Sequence, residues 1–181
     1  MTIYDPRKIL VPVDLSELSM GGLRAAKEIA ELRDAELKVL HVAQESDYMP
    51  SFRGGGYPTE FTRRMAIPTN KMLEEAQVEL ESRLNSMLKQ VSAGPKVASI
   101  LLWGEPIEEI LRVAGSEDFD LIVMATHGRT GLNRLLIGSV AEQVIRRAPC
   151  PVLVIRDKVI GERDHPKVDR KDHEASEELI A

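Results

Sequence analysis

The sequence predicts an α/β fold: a single doubly wound domain with a five-stranded parallel sheet and helices on both faces. Short apolar runs at 9–13, 35–43, 97–103, 121–125 and 151–156 have the length and β-branched content of strands. They are apolar almost throughout rather than alternating, as strands covered on both faces must be. Between them lie segments whose apolar residues recur at helical spacing, bounded by glycine or proline. Such an alternation is satisfied by right-handed crossovers between parallel strands. Ligands of these sheets lie beyond the carboxyl ends of the strands, where the winding reverses.

Residues 1–6 read as a short arm. Ile9, Leu10, Val11, Pro12 and Val13 form the first strand, ending at Asp14. Pro12 has no N–H to give, which suits a strand that is finishing. Asp14 or Ser16 can cap the next helix, whose Leu23, Ala26, Ile29 and Ala30 mark one apolar face. The second strand, Ala35 to Ala43, carries Leu37, Val39, Leu40 and Val42. His41 lies on it with no second histidine or cysteine at metal spacing nearby, so a histidine held by core hydrogen bonds outweighs a ligand.

Residues 44–67 exceed an ordinary connection and read as a flap or partner contact. The triple glycine Gly54 to Gly56 has neither the preceding strand nor the following lysine-serine pair of a phosphate loop. From Thr69 to Val91, Met72, Ala76, Leu80, Leu84, Met87, Leu88 and Val91 specify an amphipathic helix, stopped at Gly94 and Pro95. The third strand, Val97 to Trp103, meets the turn Gly104-Glu105-Pro106, and proline suits the first turn of a helix buried through Ile107, Ile110, Leu111 and Ala114. Trp103 reads as a core or interface residue.

The stretch from Asp120 to Ile155 concentrates the chemistry. A buried strand, Leu121 to Ala125, gives way at Gly128; after nine intervening residues Gly138 precedes Ser139, with Glu142 at capping-box spacing. The first turn of a helix carries unpaired N–H groups and the positive end of the dipole, and glycines allow close approach of a phosphate. The bland alternative is that the glycines only shape a loop and Ser139 only caps a helix. Net charge is −5, which disfavours nucleic acid, so any anion must be held locally; Arg129 and Arg134 in the loop could add charge. Pro151 to Arg156 reads as the fifth strand and 157–181 as a charged, solvated tail. His165 and His173 in that tail form no specific metal set. No run of membrane-spanning length and no leader pattern occurs, making the cytoplasm the expected compartment. Cys150, the only cysteine, lies between two prolines and reads as a small hydrophobe entering a strand.

Residues 7–156 resemble the universal stress protein family. The family's nucleotide motif, glycine, two residues, glycine, nine residues, glycine and then serine or threonine, falls on Ala125, Gly128, Gly138 and Ser139. Ala125 departs from it: an alanine there either carries the cost of a positive φ, on the order of 1 kcal/mol, or sets a methyl against the phosphates. The stretch ILVPVDLSE is similar to the family's first strand, whose terminal aspartate lies by the nucleotide, and Val42 matches the position whose backbone meets the adenine edge. The Gly104-Glu105-Pro106 turn is similar as well. The resemblance implies a domain over 1–156 with strand order 3-2-1-4-5 and an ATP site, with or without Mg²⁺. That site would be drawn from Pro12, Val13, Asp14, Val42, Met124, Ala125, His127, Gly128, Arg129, Gly138, Ser139 and Val140. It also implies a homodimer through Pro151 to Arg156 and action on an unidentified protein partner in stress response or signalling. A slow ATPase or nucleotidyl-transfer enzyme of similar fold, and a dimeric interaction module without nucleotide, are the alternatives. The loop has no obvious base, nucleophile pair or complete metal cluster, so efficient catalysis is the weaker expectation.

Overall fold

The computed structural model describes residues 4–48, 69–91, 97–125 and 138–156. Five strands form one sheet in the order β3-β2-β1-β4-β5: β1 is Lys8–Pro12, β2 Glu36–Ala43, β3 Val97–Trp103, β4 Leu121–Ala125 and β5 Val152–Ile155. Every neighbouring pair is parallel, as predicted. Among the described residues four α-helices lie between them: α1 (Glu17–Arg33), α2 (Thr69–Gln90), α3 (Pro106–Ser116) and α4 (Ser139–Arg147).

Side-chain alternation along the strands divides the core into two layers. Ile9, Val11, Leu121 and Val123 face Met20, Leu23 and Ala26 of α1 and Leu84 and Met87 of α2. The intervening Leu10, Ile122 and Met124 face Ile110 and Val113 of α3 and Ala141 and Val144 of α4. Both faces of the inner strands are therefore covered, which is why their sequences read as continuous apolar runs. Of the positions the spacing predicts, Ala76, Leu80, Leu84 and Met87 of α2 and Val91 just after it are buried, and Met72 and Leu88 are half-buried.

At the amino ends of the strands, the Asp120 carboxylate accepts the Arg7 and Lys8 N–H groups at 2.9 and 2.8 Å, tying β1 to the start of β4. Lys38 pairs with Glu117 beside them, and Lys8 and Lys38 both stand over the Phe119 ring. This end is thus stapled shut. The other end opens.

Of the two proposed caps for α1, Ser16 occupies the N-cap, its Oγ accepting the Ser19 N–H at 3.3 Å. The turn after β3 needs its glycine, since Gly104 sits at φ 151°. The expected 44–67 insertion, apart from Gln44 and a short 3-10 turn at Glu45–Asp47 that runs on through Tyr48, lies outside the described residues, as does the 157–181 tail.

Candidate functional site

Two interruptions of hydrogen bonding, one on each side of β1, open the carboxyl end of the sheet. On the β4 side pairing runs only through Ile9–Leu121 and Leu10–Ile122. Alternation turns the main-chain groups of Leu10 and Pro12 toward β4, so the next donor in that ladder would be the nitrogen of Pro12, which carries no hydrogen. On the β2 side the last rung is the Val13 N–H donating to the Leu40 carbonyl at 2.8 Å. Beyond it Val42, two residues on, presents its N–H and C=O toward the place β1 has left. Ala43 confirms this alternation, since its carbonyl faces β3 and accepts the Gly104 N–H at 2.9 Å.

The resulting crevice has a volume of about 340 Å³, within the range of small-ligand sites. Pro12, Val13 and Asp14 line it from β1, Leu40, His41, Val42 and Gln44 from β2, and Met124 and Ala125 from β4. Gly138, Ser139, Val140 and Ala141 close it from the start of α4. Nine sequence-selected positions, Pro12, Val13, Asp14, Val42, Met124, Ala125, Gly138, Ser139 and Val140, thus come together around one space. His127, Gly128, Arg129 and Arg134 lie outside the described residues.

Asp14 is held by the loop that follows it: its Oδ1 accepts the Ser16 N–H at 3.1 Å and the Ser16 hydroxyl at 2.6 Å. Leu15 between them is left-handed, φ 61°, a conformation costing a leucine about 1 kcal/mol and held here by packing of its side chain on the α1 core layer. The carboxylate is therefore presented on a constrained turn rather than on a free side chain.

The capping-box expectation for Ser139 is corrected. Gly138 is the N-cap, at φ −60° and ψ 148°, and Ser139 is already the first helical residue, with no side-chain bond capping the helix. Glu142, the other half of the box, instead accepts from Arg146 at 3.1 Å one turn further on. Among the described residues no side chain caps the first-turn amides of α4, which line the crevice in the arrangement that receives an anion.

Ala125 ends β4 in register with Ile155 and is not among the described residues of positive φ. Of the two costs considered for it, only methyl crowding remains. Close packing is also set from behind: a Cβ on Gly22 of α1 would stand 3.1 Å from the Ala125 nitrogen and 3.3 Å from the Met124 carbonyl carbon.

Several lining residues escaped the sequence reading. Gln44 follows β2 as Asp14 follows β1, and that shared position at a strand's carboxyl end was the available signal. Its Nε2 donates to both Glu105 carboxylate oxygens, at 3.0 and 2.9 Å, linking β2 to the Gly104-Glu105-Pro106 turn. Ser19, Asp47, Pro106, Ile110 and Ala141 enter the lining only through packing between elements distant in sequence. Trp103 meets Tyr48 edge-to-face, with ring centroids 5.6 Å apart. His41, read as a core histidine, is 2% exposed, and its Nδ1 bonds the Val13 carbonyl at 2.7 Å.

Electrostatically the described lining carries the carboxylates Asp14 and Asp47 and no lysine or arginine, leaving the α4 amides as its positive element. Among the described residues no group of three or more histidine, cysteine, aspartate or glutamate side chains could hold a metal. Burial, helped by the nearby Asp120 charge, pushes the Cys150 thiol up, so it stays protonated near neutrality and is a poor nucleophile. No helix among the described residues is long and apolar enough to cross a membrane.

Comparison with known proteins gives the same outline. The universal stress protein family model matches residues 6–156. Universal stress protein MJ0531 of Methanocaldococcus jannaschii is 36% identical over 150 residues, 83% of this chain and 82% of that protein. MJ0577 of the same organism is 33% identical over 162 residues, 84% of this chain and 96% of the relative. The solved structure of MJ0577 aligns with a TM-score of 0.68 at 31% identity, covering 87% of this chain and 99% of that one. UspA from Lactobacillus plantarum aligns at a TM-score of 0.67 and 25% identity, over 86% of this chain and all of the other.

Proposed function

This chain belongs to the universal stress protein family, and on that premise we propose that it binds ATP in the crevice and acts through its nucleotide state on a partner protein in stress response or signalling. One observation carries the reading: the first turn of α4, the Asp14 carboxylate and the open edge of Val42 converge on one space. Each suits a different part of a nucleotide. The α4 amides suit phosphate oxygens, a fixed carboxylate suits ribose hydroxyls, and a main-chain donor beside an acceptor suits the edge of a purine. Asp14 would approach phosphate only with a cation such as Mg²⁺ between them. Location in the cytoplasm belongs to this reading.

Calorimetry with ATP and Mg²⁺ is expected to show saturable binding, and mass spectrometry of ligand released from the purified protein to show an adenine nucleotide. A flat titration at millimolar ATP would reject the reading in favour of an interaction module without nucleotide. Multiple-turnover release of phosphate at a useful rate would favour the ATPase alternative.

The reading includes a homodimer through β5. Alternation leaves the main-chain groups of Val152 and Val154 pointing away from β4, because the Pro151 carbonyl accepts the Ile122 N–H at 3.0 Å on the inner side. Among the described residues no strand pairs with this edge, and Ile145 of α4 and Leu153 are exposed. An apolar edge strand favours covering, and antiparallel pairing with a second copy forms a symmetric interface. Light scattering is expected to report twice the chain mass. Val154→Pro, which removes an outward N–H while sparing the ladder to β4, should shift it toward monomer; wild-type monomer at micromolar concentration would defeat the dimer.

A further inference from the structure

We propose that His41 is a positioning residue for the base: by holding the Val13 carbonyl it keeps the main chain of Val42 open to the ligand. The inference rests on the nucleotide reading above. In a continuing parallel ladder the register Pro12–Leu40 sets the next rung as the Val42 N–H donating to the Val13 carbonyl. That rung is missing among the described residues. The Val13 carbonyl is met instead by His41 Nδ1 at 2.7 Å. A carbonyl can only accept, so Nδ1 carries the hydrogen and the imidazole takes the place Val42 would have filled. With the ring buried at 2% exposure, this substitution is fixed by the core and not by solvent. The residue before Val42 thereby ends the β1–β2 ladder one rung early and frees a backbone donor and acceptor at the crevice.

The test uses the full chain and reads two quantities. In nucleotide-free protein, the Val42 amide is expected to exchange with deuterium quickly by NMR; His41→Leu should slow it as the rung to Val13 forms. His41→Asn, whose Nδ2 stands where the imidazole Nδ1 stands, should restore fast exchange, and His41→Gln, whose amide reaches past that point, should not. Slow exchange in the wild type, or no change in His41→Leu or His41→Gln, overturns the proposal. For binding, His41→Leu and His41→Gln are expected to weaken ATP about tenfold while leaving inorganic tripolyphosphate, a ligand without a base, unchanged; His41→Asn should recover the loss. Equal weakening of both ligands would make His41 a prop of the fold and overturn the proposal. If the wild type binds no ATP, the nucleotide reading falls, and the exchange measurement still decides how the ladder ends.

Discussion

Gly138→Val is expected to remove most ATP affinity while lowering the melting temperature by only a few degrees, the cost of valine at an N-cap. At φ −60° and ψ 148° this N-cap backbone is open to any residue, so the conformation alone makes no demand for glycine. What a side chain would take is space at the head of α4, where phosphate oxygens must reach the amides of the first turn. Hydrogen bonds from N–H groups to a charged acceptor contribute about 1.5–3 kcal/mol each, so displacing even one should weaken binding roughly tenfold or more. Calorimetry and thermal unfolding on the same sample separate the two effects. Parallel loss of stability and binding would return Gly138 to the role of a helix-entry residue and weaken the case for a phosphate site.

Gly22→Val should show the opposite pattern, with folding stability falling first. The glycine lies in the second turn of α1, where intrinsic propensity favours almost any other residue by up to about 1 kcal/mol. Yet its missing side chain is what lets α1 approach β4. The atoms a Cβ would press on, the Ala125 nitrogen at 3.1 Å and the Met124 carbonyl carbon at 3.3 Å, are backbone and cannot rotate away. Overpacking of this kind costs about 1–3 kcal/mol, and a β-branched side chain adds to it. Because the displaced backbone also lines the crevice, nucleotide affinity should drop with it. Gly21→Ala is the control: Gly21, half-buried and one position away, has no such backbone neighbour among the described residues and should gain stability from helix propensity. Urea denaturation of the three proteins checks the ordering, and a Gly22→Val variant as stable as wild type would show that α1 can shift without cost.

The fold was legible in the sequence because its signals are local. Runs such as Ile9–Val13 and Leu121–Ala125 are apolar on both faces, and a strand has that composition only when helices cover both sides. The α2 stripe, Pro106 at the start of α3 and the stop at Pro12 needed no partner to be read. The strand order came from the family resemblance, and the sheet bears it out. What the sequence left undecided were matters of one residue or one rung. Ser139 and Glu142 stand at capping-box spacing, yet the path of the chain into α4 puts Gly138 at the cap and leaves Glu142 to Arg146. Asp14 and Ser16 were equal candidates until the left-handed Leu15 placed the serine at the helix and turned the aspartate toward the crevice. His41 could be read as core but not as the group that replaces a ladder bond, and Gln44 gave no sign that Glu105, distant in sequence, would hold it. These depend on parallel register between strands far apart in the chain. Register determines which main-chain donors are taken and which are left for a ligand, and no local pattern of residues carries that information.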